Sequence, residues 1–509
     1  MAHANGRRRR ADDTADMDLE LVKKEVSGLV GPGTPGLAAA VYSGGEPLVT
    51  AAAGTACLEF GVPIDADTRF DIASASKQFT AACVLLLARD GKLDLDDDVR
   101  THIPELNLAV PVTLRQCLQH TGGLPEWYAV LPLTGHPLSE MTEERLLEVI
   151  ARLRTTTFEP GTDFTYSNTG YVLAAVTVRR VSGRSLAEFA RERLFAPLGM
   201  DDTVFRDDAS APLARLAYGY ANHGGPPVRA DTQESAVGDG GLVTSVRDLA
   251  PWFGFLADGR VLGADLRDAL LERAVLADGT TLPYAMGLYH HEVAGRRAFG
   301  HAGGMHGYLS DLLFLPDDGL GLAVLSNQLQ IDPLALNERL VRLLLGAPPE
   351  PGQEPGALPL PGHEHWHDPV SDATLEVRAG DDGLEVADVG TFVPGADGRW
   401  HGLGDAHLAW LEFSGDTLVV GSLLAARRPV TFVAAPPPDG TPMPDGEWES
   451  DELGVRASVR DGVLRIGRTL ELPVTPAPAG LWRAEPFTLR LEGGALLVSG
   501  GGLRRLRFT

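Results

Sequence analysis

The sequence is poor in lysine and cysteine and holds no long apolar run. Of its 44 basic residues only four are lysines, at positions 23, 24, 77 and 92, so arginine supplies nearly all of the positive charge. The three cysteines (Cys57, Cys83 and Cys117) are an odd number, and two of them lie in apolar sequence, which excludes a disulfide framework. No uninterrupted apolar stretch is long enough to span a bilayer.

Positive charge is also scarce overall. The formal net charge of -25 argues against a nucleic-acid partner and favours a soluble protein that anionic membranes repel. Arg7 to Arg10 could begin an export signal, but the residues that follow are acidic where an apolar segment is required. We therefore expect a cytoplasmic protein with no membrane partner and with residues 1–17 as a disordered leader. A homodimer is compatible with this sequence.

The 509 residues are enough for roughly two to four domains. Within residues 18–346, strand patterns at both ends enclose helical patterns, which predicts one α/β (α+β) domain with an antiparallel sheet covered by helices. A cluster of prolines predicts a stiff linker over residues 347–362. Beyond it, short alternating strands with regularly spaced turns predict two small all-β domains of barrel type, residues 363–435 and 446–509.

The stretch Ser74-Ala75-Ser76-Lys77 precedes an apolar run from Phe79 to Leu87, so a buried helix is predicted to begin at Ser74. At a spacing of three residues the two side chains share one face of a helix. A desolvated lysine can lose its proton, whereas arginine cannot, so Lys77 is a candidate base beside a candidate nucleophile, Ser74. The alternative interpretation is that Ser74 caps the helix and Lys77 is a solvated residue of its first turn.

Two further clusters carry candidate site residues. Tyr166 and Asn168 stand two apart on a predicted turn before an apolar helix, a pattern that alone is more often structural. In His301-Ala302-Gly303-Gly304 a predicted strand meets a glycine-rich segment. Glycine would let a substrate backbone approach the strand closely, and imidazole titrates near neutrality. The alternative there is a glycine-rich hairpin with an incidental histidine.

In combination, Ser74-x-x-Lys77, Tyr166-x-Asn168 and His301-x-Gly303 resemble, in that order, the motifs of the penicillin-recognising serine hydrolases. The resemblance covers roughly residues 18 to 345. It is strongest to class C β-lactamases, D-alanyl-D-alanine carboxypeptidases, related esterases and D-aminopeptidases. It implies a β-lactamase/transpeptidase-like catalytic domain that reacts through an acyl-enzyme.

The resemblance also implies roles for the site residues. Ser74 would be the acylated nucleophile, Lys77 and Tyr166 would handle its proton, and Asn168 would hold the substrate carbonyl or the lysine. The backbone N–H groups of Ser74 and Gly304 would form the oxyanion hole, so that His301, Gly303 and Gly304 would line the substrate site. We expect no cofactor and no metal, because no nucleotide-binding glycine loop is present and the run His363-Glu364-His365-Trp366-His367 is interpreted as solvated rather than metal-binding.

The third motif departs from the pattern of the family members that act on penicillins. Those members usually carry Lys-Thr-Gly or Lys-Ser-Gly, whose cation and hydroxyl bind a substrate carboxylate. Here the positions hold His301 and Ala302, so a substrate with a carboxylate at that point should bind poorly. The same His-x-Gly variant appears in the D-aminopeptidases and in many esterases of this superfamily. The D-aminopeptidases also resemble this chain in length, in motif spacing and in carrying two β domains.

The sequence therefore predicts an aminopeptidase that releases N-terminal D-residues from amides or short peptides. A broad-specificity esterase or amidase, a β-lactamase-like hydrolase and a thioesterase-like peptide cyclase are the alternatives. All of them would act on a small peptide, amide or ester substrate with the same residues.

We predict that Ser74→Ala abolishes turnover and leaves the fold intact, because the serine hydroxyl forms the bond to the substrate. Intact-mass spectrometry after a slow substrate or a β-lactam should place the adduct on Ser74. An adduct on another serine would refute the assignment.

Overall fold

A computed structural model describes residues 17–31, 33–222, 224–346, 358, 360–380, 383–387, 389–395, 397–403, 409–422 and 429–509. Residues 1–16 of the predicted leader, and residues 347–357 and 359 of the predicted linker, lie outside the described residues.

The α-helices, in chain order, are α1 (Glu20–Gly28), α2 (Lys77–Arg89), α3 (Leu114–Leu118), α4 (Trp127–Thr134), α5 (Glu143–Ile150), α6 (Asn168–Ser182), α7 (Leu186–Ala190), α8 (Ala196–Leu198), α9 (Ala250–Asp258), α10 (Ala264–Leu270) and α11 (Pro333–Leu345). The strands that accompany them are β1 (Leu37–Ser43), β2 (Glu46–Ala53), β3 (Thr55–Cys57), β4 (Val62–Pro63), β5 (Arg69–Asp71), β6 (Val204–Phe205), β7 (Tyr220–Ala221), β8 (Val228–Arg229), β9 (Leu242–Ser245), β10 (Tyr289–Val293), β11 (Arg296–Met305), β12 (Tyr308–Leu315) and β13 (Leu320–Ser326).

A six-stranded antiparallel sheet organises this part of the chain. Its strand order is β10-β11-β12-β13-β1-β2, so the two ends of the sequence segment meet where β1 pairs with β13. Alternate residues of β1 point to opposite faces: Leu37, Ala39 and Val41 pack with α1 and α11, whereas Ala38 and Ala40 pack with the helices of the other face. The predicted antiparallel sheet covered by helices is confirmed.

Helix α2 lies in the middle of the larger helical layer. Every residue from Lys77 to Leu87 is buried, and the helix packs against α6 and α10. The prediction that this helix begins at Ser74 is corrected by one turn. Ser74 lies in a 3-10 turn, Ala73–Ser76, and α-helical hydrogen bonding starts at Lys77. Ala73 opens this turn with a φ of 47°, so helical conformation cannot extend back through it.

A closed antiparallel barrel follows. Its strands are β14 (His365–His367), β15 (Thr374–Ala379), β16 (Leu384–Val386), β17 (Gly390–Pro394), β18 (Trp400–Gly402), β19 (Ala409–Ser414), β20 (Thr417–Ser422) and β21 (Val430–Ala434). Large apolar side chains, among them Trp366, Phe392 and Leu418, fill its interior and leave a packed core. Closure gives every strand two neighbours and leaves no sheet edge.

The last segment forms two sheets in place of a single closed one. One sheet contains β22 (Gly446–Ser450), β23 (Val455–Arg460), β24 (Val463–Ile466) and β25 (Leu470–Pro473), and the other contains β26 (Thr475–Ala477), β27 (Leu481–Ala484), β28 (Phe487–Glu492), β29 (Ala495–Gly500) and β30 (Leu503–Phe508). Both sheets share one hydrophobic core. The all-β character expected for this segment is confirmed.

This core is not confined to the last segment, which we call the C-terminal unit (residues 446–509). Val130 and Leu133 of α4, with Val149 of α5, are buried in the same cluster. The α4–α5 region and the C-terminal unit therefore bury apolar surface against each other, which fixes the unit beside the helical layer. No helix of the described segments is long and apolar enough to cross a membrane.

We predict that Leu133→Ala lowers the free energy of unfolding by about 2 to 5 kcal/mol, because Leu133 is fully buried in this shared core and its removal leaves a cavity. Leu360→Ala is the matched control, since that side chain is 59% exposed. Urea denaturation should separate the two variants. Equal effects would show that the shared core does not stabilise the protein.

Candidate active site

The nucleophile candidate Ser74 lies on the 3-10 turn between β5 and α2. The turn is held in its strained conformation by Asp71, whose Oδ1 accepts the Ala73 N–H at 2.8 Å. Burial raises the pKa of the Asp71 carboxyl to about 6, although hydrogen bonds from Ala73 and Thr232 oppose the rise. The Ser74 side chain is only half-buried, whereas its neighbours are buried, so its hydroxyl is within reach of a substrate.

Lys77 points its amine at Ser74 from inside the protein. Its Nζ lies 3.0 Å from Ser74 Oγ and 2.7 Å from Asn168 Oδ1, and it also donates to the backbone carbonyl of Asp239. Burial lowers the pKa of Lys77 to about 8, and the negative charges of Asp239 and Glu126 oppose that fall. The amine can therefore be neutral in a useful fraction of molecules near pH 7, and a neutral amine can take the serine proton.

Asn168 is fixed by a carboxylate that the sequence alone did not single out. Glu126 Oε2 accepts the Asn168 backbone N–H at 2.6 Å, and Oε1 accepts the side-chain Nδ2 at 3.2 Å. Because a carboxylate accepts only, the amide NH₂ faces Glu126 and the amide oxygen faces Lys77. Burial raises the pKa of Glu126 to about 7, against the hydrogen bonds from Asn168 and Tyr128.

Tyr166 lies on the other side of the lysine. Its ring centroid is 5.0 Å from Lys77 Nζ. Its hydroxyl is buried and makes no hydrogen bond of normal geometry within the described part of the chain. Burial raises the pKa of Tyr166 well above its ordinary value, and the nearby Ser74 hydroxyl opposes this only in part. The phenol is thus a proton donor that keeps its proton near neutral pH.

The third motif runs along the edge of the sheet beside the Ser74 turn. A Cβ added to Gly303 would lie 2.1 Å from the Ile72 carbonyl oxygen and 3.0 Å from the Ser74 nitrogen, so only glycine allows this approach. Strand β10 pairs with β11 only as far as Gly300. Beyond Gly300, the edge of β11 that faces β10 has no paired strand within the described residues. Such an edge can bind an extended substrate backbone. Gly304 is exposed at its far end.

His301 is buried beside this edge, and both of its ring nitrogens have partners within the protein. Nδ1 lies 2.6 Å from the Ala302 carbonyl oxygen, and Nε2 lies 3.2 Å from the Tyr284 hydroxyl. Burial, followed by the charge of Lys77, lowers the pKa of His301 to about 3. The imidazole is therefore neutral at physiological pH and is a weak partner for an anion.

A cavity of about 810 Å³ adjoins the site. Tyr166, Asn168 and Glu126 form part of its wall, and the barrel and the C-terminal unit contribute further residues, among them Phe432 and Gly502. A Cβ on Gly502 would lie 2.7 Å from the Glu126 Cβ. The C-terminal unit therefore packs directly on the carboxylate that holds Asn168. No three histidine, cysteine or acidic side chains within the described ranges are grouped to hold a metal ion.

The geometry thus joins Ser74, Lys77 and Asn168 by hydrogen bonds and brings Tyr166 and Gly303 beside them. Sequence reasoning missed Glu126 and Asp239. Glu126 directly follows the loop His120-Thr-Gly-Gly-Leu-Pro125, which was a usable signal. Asp239 acts on Lys77 through a backbone carbonyl, which no side-chain pattern reveals.

A family model described as Beta-lactamase matches residues 22–346 of the chain, which contain all of these groups. The chain belongs to the Beta-lactamase family. It is a serine hydrolase of the penicillin-recognising superfamily, as the three motifs predict. The predicted β-lactamase-like fold is confirmed as well.

Within the curated relatives of this Beta-lactamase family member, a D-aminopeptidase of Gluconobacter oxydans is 32% identical over 331 residues, which cover 64% of this chain and 62% of the relative. A D-aminopeptidase of Brucella anthropi is 29% identical over 300 residues, which cover 58% of this chain and 56% of that relative. The chain thus spans about three fifths of the length of the curated relatives it matches.

Solved structures of related proteins are also similar to this chain. The D-amino acid amidase from Ochrobactrum anthropi SV3, complexed with L-phenylalanine amide, is 28% identical with a TM-score of 0.55, and the match covers 65% of this chain and 98% of that one. An octameric penicillin-binding protein homologue from Pyrococcus abyssi is 21% identical with a TM-score of 0.58, and it covers 89% of this chain and 99% of its own. The second match supports the fold alone.

We predict that kcat/KM rises by about tenfold per pH unit below pH 8 and levels off above it, because the neutral form of Lys77 accepts the serine proton and becomes more populated as pH rises through its pKa. Lys77→Arg should be nearly as inactive as Lys77→Ala, since arginine keeps its proton. Lys92→Arg, at an exposed position, is the control and should behave as wild type. A flat pH profile, or substantial activity of Lys77→Arg, would contradict a proton-transfer role.

Proposed function

We propose that this serine hydrolase is an aminopeptidase that releases N-terminal D-amino acids from amides and short peptides. The observation that carries the proposal is the distribution of charge around Ser74. The carboxyl groups of Glu126 and Asp239 act on Lys77, which donates to Ser74, whereas the third-motif side chain is a neutral imidazole. This arrangement favours a substrate that brings an ammonium group over one that brings a carboxylate.

The proposed acylation step uses three side chains and two backbone N–H groups. Ser74 Oγ attacks the amide carbonyl carbon while Lys77 Nζ takes the hydroxyl proton. The backbone N–H groups of Ser74 and Gly304 stabilise the negative oxygen of the tetrahedral intermediate. When that intermediate collapses, the C–N bond breaks, and Tyr166 delivers a proton to the departing amine and recovers one from the Lys77 ammonium.

Deacylation repeats these movements with water as the nucleophile. Water attacks the ester carbon, its proton passes to Lys77, and the proton returns to Ser74 Oγ as the amino acid leaves. Asn168 keeps its oxygen on Lys77 throughout, because Glu126 holds both nitrogen donors of that residue. The lysine amine therefore stays aimed at the serine in both half-reactions.

The size of the adjoining cavity supports small substrates. The cavity of about 810 Å³ is bounded by the catalytic domain, the barrel and the C-terminal unit, which suits an amide or a short peptide. The preference for D-residues and for a free amino terminus is supported by the relatives named D-aminopeptidase and D-amino acid amidase. A broad-specificity esterase would use the same Ser74 and Lys77, so substrate kinetics must separate the two functions.

We predict that kcat/KM for D-alanine amide exceeds the values for L-alanine amide and for N-acetyl-D-alanine amide by about tenfold or more, because the free ammonium and the D-configuration are both recognised. A chromogenic cephalosporin should be a poor substrate, since it brings a carboxylate. Initial rates on these compounds and on an aryl ester form the panel, with Ser74→Ala as the blank. Turnover of the aryl ester with none of the three amides would make the protein an esterase.

A further inference from the structure

Behind the catalytic side chains, three buried side chains form a continuous chain of hydrogen bonds, which we call the His120–Tyr284–His301 relay. His120 Nε2 lies 3.1 Å from the Tyr284 hydroxyl oxygen, and the same oxygen lies 3.2 Å from His301 Nε2. Backbone groups terminate the relay at both ends. The Ser167 N–H donates to His120 Nδ1 at 3.1 Å, and His301 Nδ1 lies 2.6 Å from the carbonyl oxygen of Ala302.

The two ends determine where every proton lies. A backbone N–H can only donate, so His120 Nδ1 accepts, and the proton of a neutral imidazole must then be on Nε2. That proton is donated to the Tyr284 oxygen, which leaves the Tyr284 hydroxyl proton for His301 Nε2. The His301 proton is consequently on Nδ1, where it is donated to the Ala302 carbonyl. All four hydrogen bonds are made with both imidazoles neutral.

A positive charge on His301 would break this arrangement. A proton on Nε2 would face the Tyr284 oxygen, which already receives one from His120, and the Tyr284 proton would lose His301 as its acceptor. The surroundings also oppose the charge. Burial first, and then the charge of Lys77, lowers the pKa of both histidines, well below the ordinary value for His120 and to about 3 for His301.

Apart from Lys77 and the relay itself, the titratable groups that face His301 are two phenols. The ring centroids of Tyr166 and Tyr289 lie 6.1 and 5.0 Å from the His301 ring. Burial raises the pKa of both phenols well above the ordinary value, so neither carries charge near pH 7. Among the described residues, no anionic side chain faces His301 to favour its protonated form.

We propose that Tyr284 is the positioning residue of the third motif: its hydroxyl, itself oriented by His120, holds His301 as the neutral Nδ1–H form with both ring nitrogens engaged. His301 is then a fixed support for the strand edge, and the motif meets a substrate through the backbone of residues 301–304. Tyr284 touches no reacting atom in this scheme. It acts on specificity through His301, because a neutral support beside Lys77 neither binds a carboxylate nor adds a second positive charge.

This inference rests on the same site as the proposed function but only on its internal hydrogen bonds, so the two can fail separately. The tautomer of His301 is measured without a substrate, by ¹⁵N–¹H correlation spectra of the full chain labelled at histidine, with the His301 signals identified as those missing from His301→Gln. In wild type we expect the Nδ1–H pattern, unchanged between pH 5 and pH 8. An Nε2–H pattern, or titration within that range, would overturn the proposal.

Tyr284→Phe tests the role of the hydroxyl, since it keeps the ring in its apolar cluster with Phe164 and Leu282. We expect His301 to lose its single tautomer in this variant, and kcat/KM for a neutral amide to fall by about tenfold with a new acidic limb in the pH profile. Tyr42→Phe is the matched control, because it also removes a buried hydroxyl, bonded to the Val246 carbonyl, away from the relay. An unchanged His301 tautomer in Tyr284→Phe, or an equal change in Tyr42→Phe, would refute the positioning role.

Discussion

The burial of one amine is the constraint on which the rest of the site depends. An ammonium taken out of water is costly unless oxygen atoms replace the lost hydration, and the cost shifts the equilibrium toward the neutral amine. Lys77 meets oxygen atoms from three directions: the side chains of Ser74 and Asn168 and the backbone of Asp239. Each oxygen is delivered by a different element, so the turn before α2, the start of α6 and the loop before β9 must pack in one arrangement.

The carboxylates around the lysine moderate this shift. Glu126 and Asp239 raise the pKa of Lys77 against the effect of burial, and the balance leaves it at about 8. Glu126 has a second task, because it also aligns the amide of Asn168. Its side chain packs on Gly502, and Asp163 pairs with Arg504 at 3.1 Å. The C-terminal unit is thus connected to the candidate catalytic groups by direct contacts as well as by the shared core around Leu133.

Much of the fold could be predicted from the sequence because its signals are local. The apolar helix predicted after Tyr166 and Asn168 is α6, and the Ser-x-x-Lys spacing placed two side chains on one face. The 3-10 turn before α2 was not predicted, since it begins at Ala73 in a left-handed conformation that a hydrogen bond to Asp71 supports. Arrangements made between distant segments were equally inaccessible. The Glu126–Asn168 pair joins residues 42 positions apart, and the His120–Tyr284 bond of the relay joins residues 164 positions apart.

The two β segments also show the difference between local signals and pairing between distant segments. Alternating strands predicted all-β structure in both, and this is what both contain. Whether such strands close into one barrel or form two sheets depends on pairing between strands that are distant in sequence. In the first segment β14 pairs with β21 and closes the barrel. In the second segment one sheet ends at β25 and another begins at β26.

The most direct test of this account is the titration of Lys77 itself. The chain has only four lysines, so ¹³C labelling of the lysine ε-carbons gives a spectrum in which Lys77 is the signal missing from Lys77→Ala. The account predicts that this signal titrates with a midpoint near pH 8. A midpoint at the ordinary lysine value of about 10.4 would contradict it, because the amine would then be too basic to accept the serine proton near neutral pH.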